Sequence, residues 1–320
     1  MKNFLDIKDI EKKDLINIFL LAEEIKNYRK NPEKYKETPS FVNALKNKNI
    51  IVIFEKSSTR TRVSFEFGIK ELGGNCCILN SQTSHLSKSE SIEDTARVLD
   101  QMVDCIVIRT FGHDRMLKLA ENCKNACVIN ALTDQSHPCQ IMADLLTFLE
   151  NKHPEFLNYN EEKMYEILKN INIAWYGDVN NMLNSWIEAS EKFGFKINIC
   201  CPEQLKNKIP NNKNCIFFKD KIECAKNCDI ITTDTWVSMG DGDKDLQMFK
   251  QANLNVDMET MKNAKQDAIF LHCLPAYRGY EVDAEVIDNE KYSNIVFHEA
   301  GNRLHIQKAI LLYCFDKLYC

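Results

Sequence analysis

The sequence contains no run of 18 apolar residues, so no stretch of it is built to cross a membrane as a helix. It has no long basic tract. Its 41 Lys plus Arg against 46 Asp plus Glu leave a net charge of −5, which argues against a sequence-independent grip on nucleic acid. The N-terminal stretch lacks a continuous apolar core and a small-residue cleavage site, which gives the expectation of a cytoplasmic protein. Neither a G-x-x-x-x-G-K loop nor a G-x-G-x-x-G turn is present, so the usual nucleotide cradles are missing. The 14 cysteines are scattered, often within apolar runs, and form no pair of C-x2-C pairs. They read as reduced structural thiols, and no metal is expected. Short internal repeats and low-complexity tracts are also absent.

What is present is ordinary globular composition, 44% hydrophobic and 27% charged, over 320 residues. That length suits two domains of about 100–200 residues each. Short β-branched runs alternate with helix-period segments, the pattern of βαβ units around a parallel sheet. Strands are expected at Asn49–Phe54, Asn75–Leu79, Asp104–Ile108 and Ala126–Asn130 in the first half. In the second they are expected at Asn172–Tyr176, Lys196–Cys200, Asn214–Phe218, Asp229–Thr233, Ala268–Leu271 and Asn294–Phe297. A helix from about Thr59 to Leu72 stops at Gly73-Gly74, and Ser91 opens another as a capping box. Pro138 suits the first turn of a third. The polar, weakly patterned stretch Lys152–Asn170 marks the domain boundary, and Leu304–Tyr319 forms a closing amphipathic helix. The fold class is therefore α/β, with two doubly wound parallel-sheet domains.

In open parallel sheets ligands bind beyond the carboxyl ends of the strands, and the unusual residues of this chain fall there. In the first half, Phe54 leads into Ser58-Thr59-Arg60-Thr61-Arg62, Ile108 into Arg109, and Asn130 into His137-Pro138-Cys139-Gln140. Free backbone N–H groups, a helix dipole, hydroxyls and an arginine fork converge at Ser58–Arg62, which suits a phosphate. The plainer alternative is a hydroxyl N-cap with surface arginines paired to Glu55 or Glu66. In the second half, Tyr176 leads into Gly177-Asp178-Val179-Asn180-Asn181, Thr233 into Asp234, and Leu271 into His272-Cys273-Leu274-Pro275. That surface is acidic and suits a cation, while Asp241–Asp245 reads as a solvated turn. An anion-binding half facing an amine-binding half across a cleft points to group transfer to an amine. Cys273 reads either as a covalent nucleophile or as a small buried thiol.

Together these motifs resemble the aspartate/ornithine transcarbamylase family. Ser-Thr-Arg-Thr-Arg at 58–62 and His137-Pro138-Cys139-Gln140 are similar to its two shared signatures, and Asp234-x-x-x-Ser238-Met239-Gly240 with His272-Cys273-Leu274-Pro275 resemble its ornithine branch. The resemblance covers nearly the whole chain. It implies a carbamoyl phosphate-binding domain at 1–150, onto which the closing helix at about 303–320 packs back, and an ornithine-binding domain at 151–302. It implies that Ser58, Thr59, Arg60, Thr61, Arg109, His137, Gln140, Cys273, Leu274 and Arg303 bind carbamoyl phosphate. His85 would enter the site from a neighbouring subunit of a homotrimer. Asn181, Asp234, Ser238 and Met239 would bind L-ornithine. The implied catalytic set is Arg60, Arg109, His137, Asp234 and Cys273, acting by direct amine attack through a tetrahedral intermediate, with no cofactor. N-Acetylornithine, putrescine and aspartate are the competing acceptors, and a phosphate-binding module without turnover is the competing class. Val179 and Gly301 depart from the commoner family pattern, and Gly301 bears on the placement of Arg303.

Overall fold

The computed structural model describes residues 1–80, 90–236 and 243–318, the last segment without the side chains of its first three residues. His85, Ser238, Met239 and Asp241 lie outside the described residues. The chain divides into two compact units, Met1–Ala143 with Asn302–Cys320, and Asp144–Gly301.

Unit 1 contains α1 (Lys12–Lys30), β1 (Asn49–Phe54), α2 (Thr59–Glu71), β2 (Asn75–Asn80), α3 (Ile92–Leu99), β3 (Cys105–Arg109), α4 (His113–Asn122) and β4 (Cys127–Leu132), followed by the start of α5 (Pro138–Lys152). Its four strands are all parallel, in the order β2-β1-β3-β4. The chain enters mid-sheet at β1 and winds first to one side, then to the other, so the direction of winding reverses between β1 and β3. Their carboxyl ends lie side by side, with Phe54 opposite Arg109. Strands β1 and β3 are near-continuous runs of Ile, Val and Phe because a sheet covered on both faces has no solvent side to alternate with. The pairing of β3 with β4 shifts register between Ile108 and Arg109. The extra residue of this bulge is Ala131 on β4, beside Arg109 at the rim of the sheet.

Unit 2 contains α6 (Glu161–Lys169), β5 (Asn172–Tyr176), α7 (Asn181–Phe193), β6 (Lys196–Cys200), β7 (Cys215–Phe217), α8 (Lys221–Ala225), β8 (Ile230–Thr233), α9 (Asp243–Ala252), α10 (Met258–Asn263), β9 (Ile269–His272), α11 (Ala284–Ile287) and the start of α12 (Glu290–Cys314). Its five parallel strands run β7-β6-β5-β8-β9. Here the reversal lies between β5 and β8, where Tyr176 stands opposite Thr233. Helix α12 begins in unit 2 and ends in unit 1, where Lys308 Nζ reaches Glu71 Oε2 at 2.7 Å.

Strands β1, β5 and β6 fall on their expected residues, and the other strands differ from expectation by one or two residues at an end. Asn294–Phe297 is a correction: these residues belong to α12, which starts at Glu290 rather than Leu304. Their burial repeats at Tyr292, Val296 and Glu299 while Phe297 is 60% exposed, a helical period that the short apolar run Ile295-Val296-Phe297 conceals. The stretch Lys152–Asn170 likewise holds a helix, α6, whose buried residues Met164 and Leu168 are four apart. Residues 243–245, read as part of a turn, open α9.

A buried polar network ties the N-terminal segment of unit 1 to the β4–α5 loop. Ser136 Oγ donates to Asp6 Oδ1 at 2.6 Å, His113 Nε2 lies 3.3 Å from Asp6 Oδ2, and His113 Nδ1 lies 2.9 Å from Thr133 Oγ1. The hydrogen bond to Asp6 raises His113 above its ordinary value against the opposing effect of burial. Burial would raise the Asp6 carboxyl, but hydrogen bonds from His113 and Ser136 outweigh it and hold the carboxyl low. The His113 contribution to stability is thus complete below about pH 6.5 and fades as pH rises through its raised value. The Asp6 contribution is complete above about pH 3.9 and fades as pH falls. In urea unfolding, Asp6→Asn is expected to cost about 3 kcal/mol near pH 5.5. The deficit should shrink on the alkaline side of the raised His113 value; a deficit independent of pH would contradict the pairing.

Candidate active site

In unit 1 the reversal point is occupied by the β1–α2 junction. Ser58 adopts an extended conformation as N-cap of α2, and its hydroxyl accepts from Thr61 N at 3.2 Å, which satisfies one free amide of the first turn. This turns Thr61, fully buried, inward as a hub. Its hydroxyl oxygen accepts from Arg303 Nη2 at 2.9 Å and from Arg109 Nη1 at 3.4 Å, and lies 3.0 Å from Ser58 Oγ. Arg303 arrives from α12 and Arg109 from the carboxyl end of β3. His137 and Gln140, both buried, stand at the start of α5. Burial drives the His137 imidazole well below its ordinary value, and the charges of Arg303, Arg109 and Arg60 push it further. The ring is therefore neutral, and three guanidinium groups act on it electrostatically. Such a set of positive groups around a neutral ring suits an anion.

Glu55, at the mouth of the same junction, is committed to other partners: it takes Arg115 at 2.8 Å and the Thr110 hydroxyl. Arg62 points to solvent and lies 3.9 Å from Glu66. The plainer alternative thus holds for the Ser58 cap and for Arg62. Thr59 is exposed at the first position of α2.

In unit 2 the reversal point gathers a second polar set. Gly177, at φ +119°, lets the chain leave β5 beneath Trp236, whose Cδ1 would lie 3.2 Å from an added Cβ. The chain then reaches Asn180, the N-cap of α7. Asn180 Oδ1 accepts from the amides of Met182 and Leu183 at 3.0 and 3.2 Å, and its Nδ2 donates to Asp234 Oδ2 at 3.0 Å. The other Asp234 oxygen accepts from Thr235 N at 2.7 Å and from Cys273 Sγ at 3.1 Å. Burial, with the charge of Asp234 beside it, lifts the Cys273 thiol well above its ordinary value. It remains a thiol that donates to a carboxylate, the opposite of an activated nucleophile. Asn181 is the first residue of α7. Leu274 has φ +58° and follows β9.

The structure thus joins Ser58, Thr61, Arg109 and Arg303 by hydrogen bonds, with Arg60 and His137 coupled to them by charge, and joins Asp234 to Cys273. Gly301 is not in a turn but inside α12, where an added Cβ would meet nothing within 4 Å, so glycine there leaves Arg303 on the helix face that reaches Thr61. Sequence reasoning flagged Asn180 without its role and missed two further residues that hold the site's members. Asn180 anchors Asp234; the signal was an Asn following a strand-end Gly-Asp and opening a helix. Glu281 and Glu299, both buried, bind His272, and no local pattern marked them. Among the described residues no group of three or more His, Cys, Asp or Glu is arranged to hold a metal ion.

The neutral state of His137 has a measurable cost. Below about pH 6.5 the unfolded chain gains a proton on this residue that the folded chain refuses, so stability falls with pH by up to about 1.4 kcal/mol per pH unit. His137→Gln is expected to remove that slope. The ligand-free variant should gain on the wild type between pH 6.5 and 5 in urea titrations, and parallel pH profiles would contradict a neutral His137.

Comparison with known proteins agrees with this division of labour. Residues 2–150 match the model of the aspartate/ornithine carbamoyltransferase carbamoyl-P binding domain, and residues 169–314 match that of the Asp/Orn binding domain. The chain is 40% identical to an ornithine carbamoyltransferase of Hydrogenovibrio crunogenus over 324 residues, covering 99% of each, and 40% identical to one of Campylobacter fetus over 333 residues, covering 100% of each. The solved ornithine carbamoyltransferase of Burkholderia thailandensis superimposes with a TM-score of 0.85 at 36% identity over 99% of both chains. The anabolic enzyme of Campylobacter jejuni does so with a TM-score of 0.83 at 36% identity, over 99% of this chain and 100% of that one. With both of the family's domains matched in order and full-length relatives well above 30% identity, the chain belongs to the aspartate/ornithine carbamoyltransferase family.

Proposed function

We propose that this chain transfers the carbamoyl group of carbamoyl phosphate to the side-chain amine of L-ornithine, giving L-citrulline and phosphate. The observation that carries the reading is the opposite charge of the two reversal points. Arg60, Arg109 and Arg303 surround a neutral His137 in unit 1, and Asp234 is held between Asn180 and Cys273 in unit 2. The first set suits a phosphate dianion and the second an alkylammonium. The names of the relatives and of the two matched domain models support the same pair of substrates.

In this reading unit 1 is the carbamoyl phosphate-binding domain. Ser58, Thr59, Arg60 and Thr61 take the phosphate with Arg109, and His137, Gln140 and Arg303 address the carbamoyl group. Unit 2 is the ornithine-binding domain, in which Asn181, Asp234, Ser238 and Met239 hold the acceptor, and Cys273 and Leu274 lie where the substrates meet. An amine of this kind has a reference pKa of about 10.4, so only about one in a thousand is neutral near pH 7. Asp234 orients the amine and draws its proton, and the protonated Cys273 thiol fixes the carboxylate through a hydrogen bond. As the amine attacks, charge grows on the carbonyl oxygen and is met by Thr61, Arg109 and the neutral His137 ring, which can donate without first losing a charge. The tetrahedral intermediate collapses by breaking the C–O bond to phosphate, whose charge Arg60 balances and which takes the proton released by the attacking nitrogen. No cofactor enters these steps.

The further readings are a homotrimer in which His85 of one subunit enters a neighbour's site, a cytoplasmic location and a role in arginine biosynthesis. Val63 and Phe67, one turn apart on α2, Val98 near the end of α3 and Met102 in the turn that follows it are exposed apolar side chains that support burial against another copy.

Product formation from carbamoyl phosphate, with L-ornithine, N-acetylornithine, putrescine and L-aspartate offered separately, tests the acceptor. Citrulline is expected to form much the fastest, and preference for another amine would overturn the ornithine assignment. Arg60→Ala is expected to lower turnover at least about 10³-fold; near-native turnover would remove Arg60 from the phosphate role. Cys273→Ser, which retains a hydrogen-bond donor, is expected to slow the reaction about tenfold without abolishing it, and an isolated carbamoyl-thioester would contradict the assignment of a protonated thiol.

A further inference from the structure

The mechanism above uses Cys273 and Leu274 but leaves unexplained what holds them. Leu274 is in the left-handed region at φ +58°, a conformation a branched aliphatic residue adopts only when its surroundings impose it. Its backbone N–H donates to Nδ1 of His272, two residues earlier, at 2.9 Å. A backbone amide can only donate, so Nδ1 carries no proton, and the proton of the neutral ring sits on Nε2. That nitrogen lies 3.3 Å from Glu281 Oε1, which also accepts from Tyr277 N at 2.5 Å. The His272 amide donates to Glu299 Oε2 at 2.9 Å. His272, Glu281 and Glu299 are each at most 1% exposed, so this chain of bonds is shielded from competition by water.

We propose that His272 is a positioning residue of the transfer reaction. Its imidazole, held in the Nε2–H form by Glu281, fastens the Leu274 amide and so fixes the strained Cys273–Leu274 step, which sets the thiol against Asp234. The carboxylate selects the tautomer, the tautomer selects the bond to Leu274, and the backbone conformation follows. The ring does not touch substrate in this role. Protonating Nδ1 would set two donors against each other and release Leu274. The inference rests on the reading that Cys273 and Leu274 belong to a carbamoyl-transfer site.

The test compares two isosteric halves of the ring. His272→Asn keeps an acceptor near the Nδ1 position and loses the reach to Glu281, whereas His272→Gln keeps a donor toward Glu281 and loses the acceptor for Leu274. With citrulline formation as readout, kcat is expected to fall at least 30-fold in His272→Gln and less than fivefold in His272→Asn. KM for carbamoyl phosphate, held in unit 1, should stay within threefold in both. Equal losses of kcat in the two variants, or losses that follow their melting temperatures, would overturn the proposal. The unaltered protein supplies a second measurement that needs no folded variant: ¹⁵N-histidine NMR at pH 7.5 is expected to give His272 as the Nε2–H tautomer. An Nδ1–H or doubly protonated ring would overturn the proposal. Failure of the carbamoyl-transfer reading is distinguishable, because the wild type itself would then form no citrulline.

Discussion

The interaction on which the rest of this structure depends is the gathering of three arginines around one buried hydroxyl and one neutral imidazole. Thr61 is fully buried and takes hydrogen bonds from Arg109 and Arg303, with Arg60 near enough to depress His137. The folded chain brings these groups to one place. It does so through backbone. A serine cap turns α2 to face inward, β3 ends on Arg109 beside the bulged strand β4, and α12, which begins in unit 2, delivers Arg303. The arrangement presents guanidinium groups and a neutral imidazole together, a donor set that suits an anion.

Unit 2 solves the complementary problem with hydrogen bonds in place of charge repulsion. Asp234 is fixed from both sides, by the Asn180 amide and by the Cys273 thiol, and burial keeps that thiol protonated. A carboxylate held in this manner is preorganised toward a cation. Both sets occupy the place where the winding of their own sheet reverses, between β1 and β3 in one unit and between β5 and β8 in the other. There adjacent connections leave in opposite directions and open a crevice at the strand ends.

Much of this was legible in the sequence because parallel strands buried on both faces announce themselves as unbroken apolar runs. Asn49–Phe54 and Asn172–Tyr176 are read to the residue, and the polar clusters after them locate Ser58–Arg62 and Asn180–Asn181. What escaped did so for identifiable reasons. Ile295-Val296-Phe297 is too short to separate a strand from a helical face, so the early start of α12 was hidden, and with it the helical setting of Gly301 and Arg303. Long-range bonds have no local signature at all. Glu281 and Glu299 acquire their meaning only when β9 and α12 bring them to His272, and Asp6 only when it meets His113 and Ser136. Family resemblance supplied the roles of the matched motifs but was silent on these supporting partners.

The central claim is that the arginine cluster of unit 1 is an anion site completed by a phosphate group. Thermal unfolding of the wild type and of Arg109→Gln, each followed with increasing inorganic phosphate, tests it most directly. A ligand that binds only the folded state stabilises it by RT ln(1 + [L]/Kd), so the midpoint rises with the logarithm of its concentration above Kd. The midpoint of the wild type should climb with phosphate while that of Arg109→Gln stays nearly level. An equal rise in both proteins would place the anion elsewhere and contradict the account.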